Sequence, residues 1–143
     1  MKLILLIPTM LLAGCLATSQ EQKSRIDEAP MYGGIDRSQV PELVSADQEF
    51  ISAVTKEFGS REKSSQLWVE QGFKFYNQDR LGMAMRRFNQ AWLLNPENAE
   101  VFAGFGSVLH DQGKYCEAMQ MMDKALSLAP PPYQGIYTDA ARV

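Results

Sequence analysis

The sequence aligns on itself at a shift of 34 residues, and this repeat constrains the fold more than any other feature of the chain. Trp68 pairs with Phe102, Gly72 with Gly106, Phe75 with Leu109, Ala84 with Ala118, Phe88 with Met122, Ala91 with Ala125, and Pro96 with Pro130. Large and small residues recur at helical spacing inside each copy, and a proline closes each. The residue before a proline is driven out of the helical region, so Asn95-Pro96 and Ala129-Pro130 mark helix ends. Each copy reads as a helical hairpin. Gly72 facing Ala84, and Gly106 facing Ala118, would let paired axes approach closely, with Trp68, Phe75 and Phe88 filling the space above and below. Leu94 and Leu128 extend the same core.

The order large, Gly, large, then Ala, large, Ala, then Pro resembles the tetratricopeptide repeat, and the resemblance covers residues 65–132. It implies an all-α fold, an α-solenoid of two hairpins at 65–98 and 99–132. The interhelix turns match it too. Gln112-Gly113-Lys114-Tyr115 places Gly113 where a permissive backbone is needed, and Asp79 of Gln78-Asp79-Arg80-Leu81 holds the same place. The resemblance further implies a concave face, lined by the first helix of each repeat, that holds a segment of a partner protein. The matching positions are Gln66, Val69, Phe73, Tyr76 and Asn77, then Glu100, Ala103, Ser107, His110 and Asp111. Phe73 and Tyr76 would be the anchors, since aromatic side chains dominate binding hot spots; the alternative places them in the core beneath the N-terminal helix or the tether. His110 reads as a pH-sensitive contact or as a solvated helix residue. Family members that grip a C-terminal carboxylate carry Lys and Asn where this chain has Val69 and Phe73, so that clamp is not expected.

Two repeats bury too little alone, and both ends need cover. Ser45-Ala46-Asp47-Gln48 has the pattern of a capping box, and Phe50, Ile51, Val54 and Phe58 fall on one face, which predicts an N-terminal packing helix over 46–58 closed by Gly59. The next helix should open near Ser60. At the other end Ile136, Ala140 and Val143 stand 34 residues beyond Phe102, Gly106 and Leu109, which predicts a short C-terminal capping helix within Tyr133–Val143. If these covers fall short, a homodimer through the exposed end is the remedy, with Met119, Met121 and Met122 as an adaptable surface.

The first residues read as a targeting signal. Lys2 precedes an apolar stretch, Leu3 to Leu12, that is too short to span a bilayer. Leu12-Ala13-Gly14-Cys15 resembles the lipobox of bacterial lipoproteins, which implies loss of residues 1–14 and a diacylglyceryl thioether on Cys15. An ordinary secretory signal cut near Ala17 is the alternative. Leu16, in place of Asp, implies outer-membrane anchoring facing the periplasm in a Gram-negative host. Residues 15–44 are polar and interrupted by Pro30, Gly33-Gly34 and Pro41, so they read as a tether, with Met31-Tyr32-Gly33-Gly34-Ile35 either part of it or packed on the domain at 45–143. Lipidation would leave Cys116 a lone thiol.

The chain has 143 residues, enough for one modest domain, and a net charge of -3 that provides no electrostatic footprint for nucleic acid. With one histidine and two cysteines it offers no metal constellation and no nucleophile beside a base, so no enzyme, metal or cofactor is expected. Asp27-Glu28, and Glu97 with Glu100, read as solvated charge. The sequence thus points to a membrane-anchored adaptor or assembly factor that binds an envelope protein, similar in design to lipidated tetratricopeptide proteins. The second reading is a self-associating structural lipoprotein whose groove is filled by its own tether.

Overall fold

The computed structural model describes residues 25–128, and every regular element among them is helical. A 3₁₀ turn at Ile26–Glu28, the short element α1 (Pro30–Gly33) and a second 3₁₀ turn at Arg37–Gln39 lead into α2 (Pro41–Phe58), α3 (Arg61–Tyr76), α4 (Leu81–Leu94), α5 (Ala99–Asp111) and α6 (Tyr115–Ser127). Helices α3 and α4 form one hairpin and α5 and α6 the next, with α5 packed against both α3 and α4. This is the α-solenoid of tetratricopeptide type that the 34-residue repeat predicts.

Local chemistry places the boundaries. Gly59 closes α2 at φ 99°, and Ser60 caps α3 by accepting from the amide of Lys63. Asn98 caps α5 through the amide of Glu100. The two hairpin turns are superimposable in their bonding: the Arg80 amide donates to Phe75 O (3.0 Å) and the Lys114 amide to Leu109 O (2.9 Å). Asp79 (φ 57°) and Gly113 (φ 75°) take the left-handed position in each, as the matched turns predict. Helix α4 ends at Leu94 before Asn95-Pro96, and Arg61 donates to the carbonyls of Leu93 and Leu94, satisfying a helix end that has no partner of its own.

The atoms nearest a Cβ on Gly72 and Gly106 belong to a ring and a chain one helical turn beyond the paired alanines. A Cβ on Gly72 would lie 2.7 Å from Cδ1 of Phe88, and one on Gly104, from the next repeat, 2.5 Å from Cζ of the same ring. Phe88 is fully buried and is therefore clamped between backbones of two hairpins. In the second repeat Gly106 faces Met122, whose Cε would stand 2.7 Å from an added Cβ. Ala84, Ala91, Ala118 and Ala125 are fully buried, as expected of small residues at the crossings. Leu94 is buried, and Leu128 packs half-buried on the same core.

The N-terminal cover begins earlier than predicted. Helix α2 starts at Pro41, whose missing N–H costs nothing at the first helical position, so Ser45 lies a turn inside the helix and caps nothing. Its apolar face seats as expected: Phe50 and Phe58 approach Trp68 edge-on, with centroids 5.9 and 5.8 Å away, and Val54 is buried. Residues 25–40, read as tether, are folded onto the domain, which settles the alternative for Met31 to Ile35 in favour of packing. Residues 1–24 and 129–143, including Cys15 and the expected C-terminal capping helix, lie outside the described residues. Cys116 is disulfide-bonded and not the lone thiol expected.

Gly72→Ala should destabilise by about 1–3 kcal/mol through overpacking against Phe88, reversing the usual gain of about 1 kcal/mol for Gly→Ala inside a helix. Gly106→Ala should cost less, because the end of Met122 can swing aside. Urea melts of both variants, and of Gly72→Ala combined with Phe88→Leu, check this: the second substitution should recover part of the loss.

Candidate functional site: the α3/α5 face

The first helices of the two hairpins, α3 and α5, lie side by side, and residues 34 and 35 positions apart join across them. Gln66 Nε2 donates to Glu100 Oε2 at 2.7 Å, and the Tyr76 hydroxyl donates to Asp111 Oδ2 at 2.7 Å. Asp111 Oδ1 also stands 3.0 Å from His110 Nδ1, and the His110 ring meets Tyr115 of α6 edge-on at 5.3 Å. The face thus carries a polar rung at each end. Phe73 lies between them, half-buried, with its ring edge-on to Phe88 below (5.0 Å) and to Tyr76 beside it (6.5 Å). One edge of Phe73 packs on the core ring of Phe88 and the rest reaches the surface.

Three of the ten predicted lining residues do not line anything accessible. Val69 is 1% exposed, Ala103 2% and Ser107 8%, with the Ser107 hydroxyl turned back to Ala103 O. They belong to the core, because α5 is buried at every residue from Val101 to Leu109. Ala103, Gly104, Gly106 and Ser107 are small enough for neighbours to close in on all sides, which a helical wheel does not reveal. Asn77 is exposed and serves as the C-cap of α3, its amide donating to Phe73 O. The accessible face is therefore Gln66, Phe73, Tyr76, Asn77, Glu100, His110 and Asp111.

On the far side of α4 lies an arrangement with no forewarning in the sequence. Asn89 is fully buried, and its amide nitrogen donates to the carbonyls of Asp27 (3.1 Å) and Ala29 (2.9 Å) while Oδ1 accepts from the Tyr32 amide (3.0 Å). Arg86 Nη2 donates to Glu28, and its Nε stands 3.0 Å from Asp27 Oδ2 without the alignment of a hydrogen bond. The Asp27-Glu28 pair is thus engaged and not merely solvated. Met31 and Tyr32 adopt left-handed backbone at φ 51° and 52°, a conformation that costs L-residues about 1–2 kcal/mol each and that the Asn89 bonds hold in place. A second clamp joins Arg37 to both carboxylate oxygens of Asp47 on α2, with the guanidinium 4.1 Å from the centre of the Tyr32 ring. Burial raises the Tyr32 phenol above its usual range, against the opposing pull of Arg37. Among the described residues, no group of three or more His, Cys, Asp or Glu is placed to hold a metal ion.

No family model matches the chain, and no solved structure matches it. Among curated proteins it is similar to protein O-mannosyl-transferase TMTC1 of Homo sapiens, 32% identical over 66 residues. That stretch is 46% of this chain and 8% of the human protein, so the chain spans a small fraction of that relative. A match of this length is close to two repeats of 34.

Asn89→Ala should free the segment before α2 while leaving the hairpins folded. Amide hydrogen exchange at residues 26–34 should rise far more than that in α3 to α6. Asp111→Ala, which removes the exposed contacts with Tyr76 and His110, should leave exchange at residues 26–34 nearly unchanged.

Proposed function

We propose that this protein is an adaptor, tethered to a membrane by lipid on Cys15, whose α3/α5 face holds a segment of another envelope protein. The reading is supported by one observation: Phe73 reaches the surface between two polar rungs that are already formed, one of them closed by the Tyr76 hydroxyl. An aromatic strip bounded by fixed donors and acceptors suits an extended or helical peptide, because apolar burial supplies affinity and the rungs set register. Preformed rungs lower the ordering cost of capture. The absence of a Lys and Asn pair at Val69 and Phe73 argues against a bare C-terminal carboxylate as the grip. The exposed end of α6, with Tyr115 at 56% and Met119 at 49%, favours a second reading, self-association through that end. Its other half, a groove filled by the tether, receives no support from residues 25–40, which pack on α4 and α2.

The anchor is read from Leu12-Ala13-Gly14-Cys15, and location at the outer membrane facing the periplasm from Leu16. Two or three acyl chains at about 0.8 kcal/mol per buried CH₂ would hold the protein permanently. A sulfur in a thioether cannot also form a disulfide, and the chain has two cysteines, so an acylated Cys15 excludes an intrachain disulfide at Cys116. Intact mass of the envelope-extracted protein, with and without reductant, decides between these states. A diacylglyceryl-sized increment on a chain beginning at Cys15 supports the anchor; an unmodified chain that gains two hydrogens on reduction rules it out.

Combined replacement of Phe73 and Tyr76 by Ala tests the face. Capture of partners from detergent-solubilised envelopes, compared with the unaltered lipoprotein by quantitative mass spectrometry, should fall at least tenfold for specific partners. Helical content should persist, with a lowered melting point because Phe73 also touches Phe88. Undiminished capture would place binding elsewhere.

A further inference from the structure

We propose that the side of α4 carrying Gly82, Arg86 and Asn89 is a binding site for an acidic segment of a partner protein, and that residues 27–32 occupy it as a displaceable internal stand-in. The site uses none of the α3/α5 residues and needs no membrane anchor.

The contacts are those of a peptide site. Asn89 is fully buried, and the hydrogen bonds of its side chain all go to backbone: its amide nitrogen donates to the Asp27 and Ala29 carbonyls, and its oxygen accepts from the Tyr32 amide. Such an amide reads main chain, so it takes any sequence that presents these groups in this register. Side-chain selection falls to Arg86, which meets Asp27 and Glu28 together, and to Gly82, where a Cβ would stand 3.2 Å from a Glu28 carboxylate oxygen. Met31, three residues after Glu28, packs on the core. The site thus specifies two adjacent acids followed, three residues on, by an apolar side chain. One repeat later, Gln120 and Asp123 stand at the places of Arg86 and Asn89, so the repeat itself requires neither the cation nor the amide.

The internal occupant fits imperfectly. Met31 and Tyr32 are both left-handed, at φ 51° and 52°, a conformation unfavourable to L-residues that persists only where surrounding bonds enforce it. Arg86 Nε is buried without a hydrogen-bond partner, because Asp27 Oδ2, 3.0 Å away, is not in line with its N–H. Asp27 also divides its carboxylate between Arg86 and Arg25 of its own segment. A foreign segment without the left-handed pair, and with a carboxylate that meets Nε in line, would keep the carbonyl bonds to Asn89 and the pairing with Arg86 and shed these costs. A second copy's segment would bring the same strain and the same misaligned Asp27, so exchange between copies gains nothing, and a foreign occupant is favoured. While residues 27–32 are seated the site is closed, and a partner's apparent affinity is scaled down by the fraction of molecules with the segment released.

The probe is a fluorescein-labelled peptide of residues 25–34 carrying Asp27→Glu, whose longer side chain can reach Arg86 Nε. Anisotropy reads its binding to the full chain, and amide hydrogen exchange at residues 26–34 reads displacement of the internal segment. The full chain with Asp27→Ala and Glu28→Ala should bind the probe at least tenfold more tightly than the unaltered chain. Arg37→Ala, which loosens the segment at its clamp on α2, is a second release variant and should act in the same direction. Adding Asn89→Ala or Arg86→Ala to either should weaken binding at least tenfold, as should a probe with Asp27→Asn and Glu28→Gln. In the unaltered chain, excess probe should raise exchange at 26–34 and leave α3 to α6 protected. Equal binding by released and unaltered chains, or binding indifferent to Asn89 and Arg86, overturns the site. Unchanged exchange at 26–34 in both release variants overturns the displaceable stand-in. A dimer of the unaltered chain on sedimentation, dissolved by Asp27→Ala with Glu28→Ala, would give the site to a second copy and overturn the foreign partner.

Discussion

The Phe88 ring, closed in by the α-carbons of Gly72 and Gly104, is the contact on which the rest of the structure depends. One glycine belongs to its own hairpin and the other to the next, so a single side chain sets both the crossing within a repeat and the distance between repeats. Phe73 and Phe105 meet the same ring edge-on, at 5.0 and 6.3 Å, and continue the contact outward on both sides. Because interiors pack like crystals, neither glycine can take on a methyl without displacing an aromatic ring that has nowhere to go. The equivalent site in the second repeat uses Met122 against Gly106, a softer pairing at the end of the array.

That clamp explains how the α3/α5 face is both ordered and partly closed. Drawing α5 against α3 and α4 buries Val69, Ala103 and Ser107 and brings Gln66 to Glu100 and Tyr76 to Asp111. What remains accessible is narrower and more polar than a concave face drawn from repeat positions alone. A partner would meet an aromatic strip framed by hydrogen-bonded pairs, so specificity would come from the rungs and affinity from the strip.

The segment before α2 uses a different physics. It has no buried face of its own to match the repeats, and it is held by a buried amide, a carboxylate pair on Arg86 and an Arg37–Asp47 bridge over a tyrosine ring. A buried Asn with all its partners in place is strongly directional, since leaving any of them unmet costs about 1–3 kcal/mol. These bonds fix a path for the chain, where the repeats fix a body.

The hairpins, their turns and their boundaries were legible in the chain itself, because glycine, alanine, aromatic and proline at a 34-residue period are local and periodic requirements. Asp79 and Gly113 in matching turns, and Phe50 and Phe58 seated on Trp68, followed from spacing. Only the tertiary structure decided that Gly72 and Gly104 both close on the Phe88 ring, that Ala103 and Ser107 are core, and that Asn89 pins a segment some 60 positions earlier. The reason is physical. Periodicity says which side of a helix is apolar, whereas the partner a side chain meets depends on how neighbouring axes cross, and that crossing is set by contacts between residues far apart in the chain.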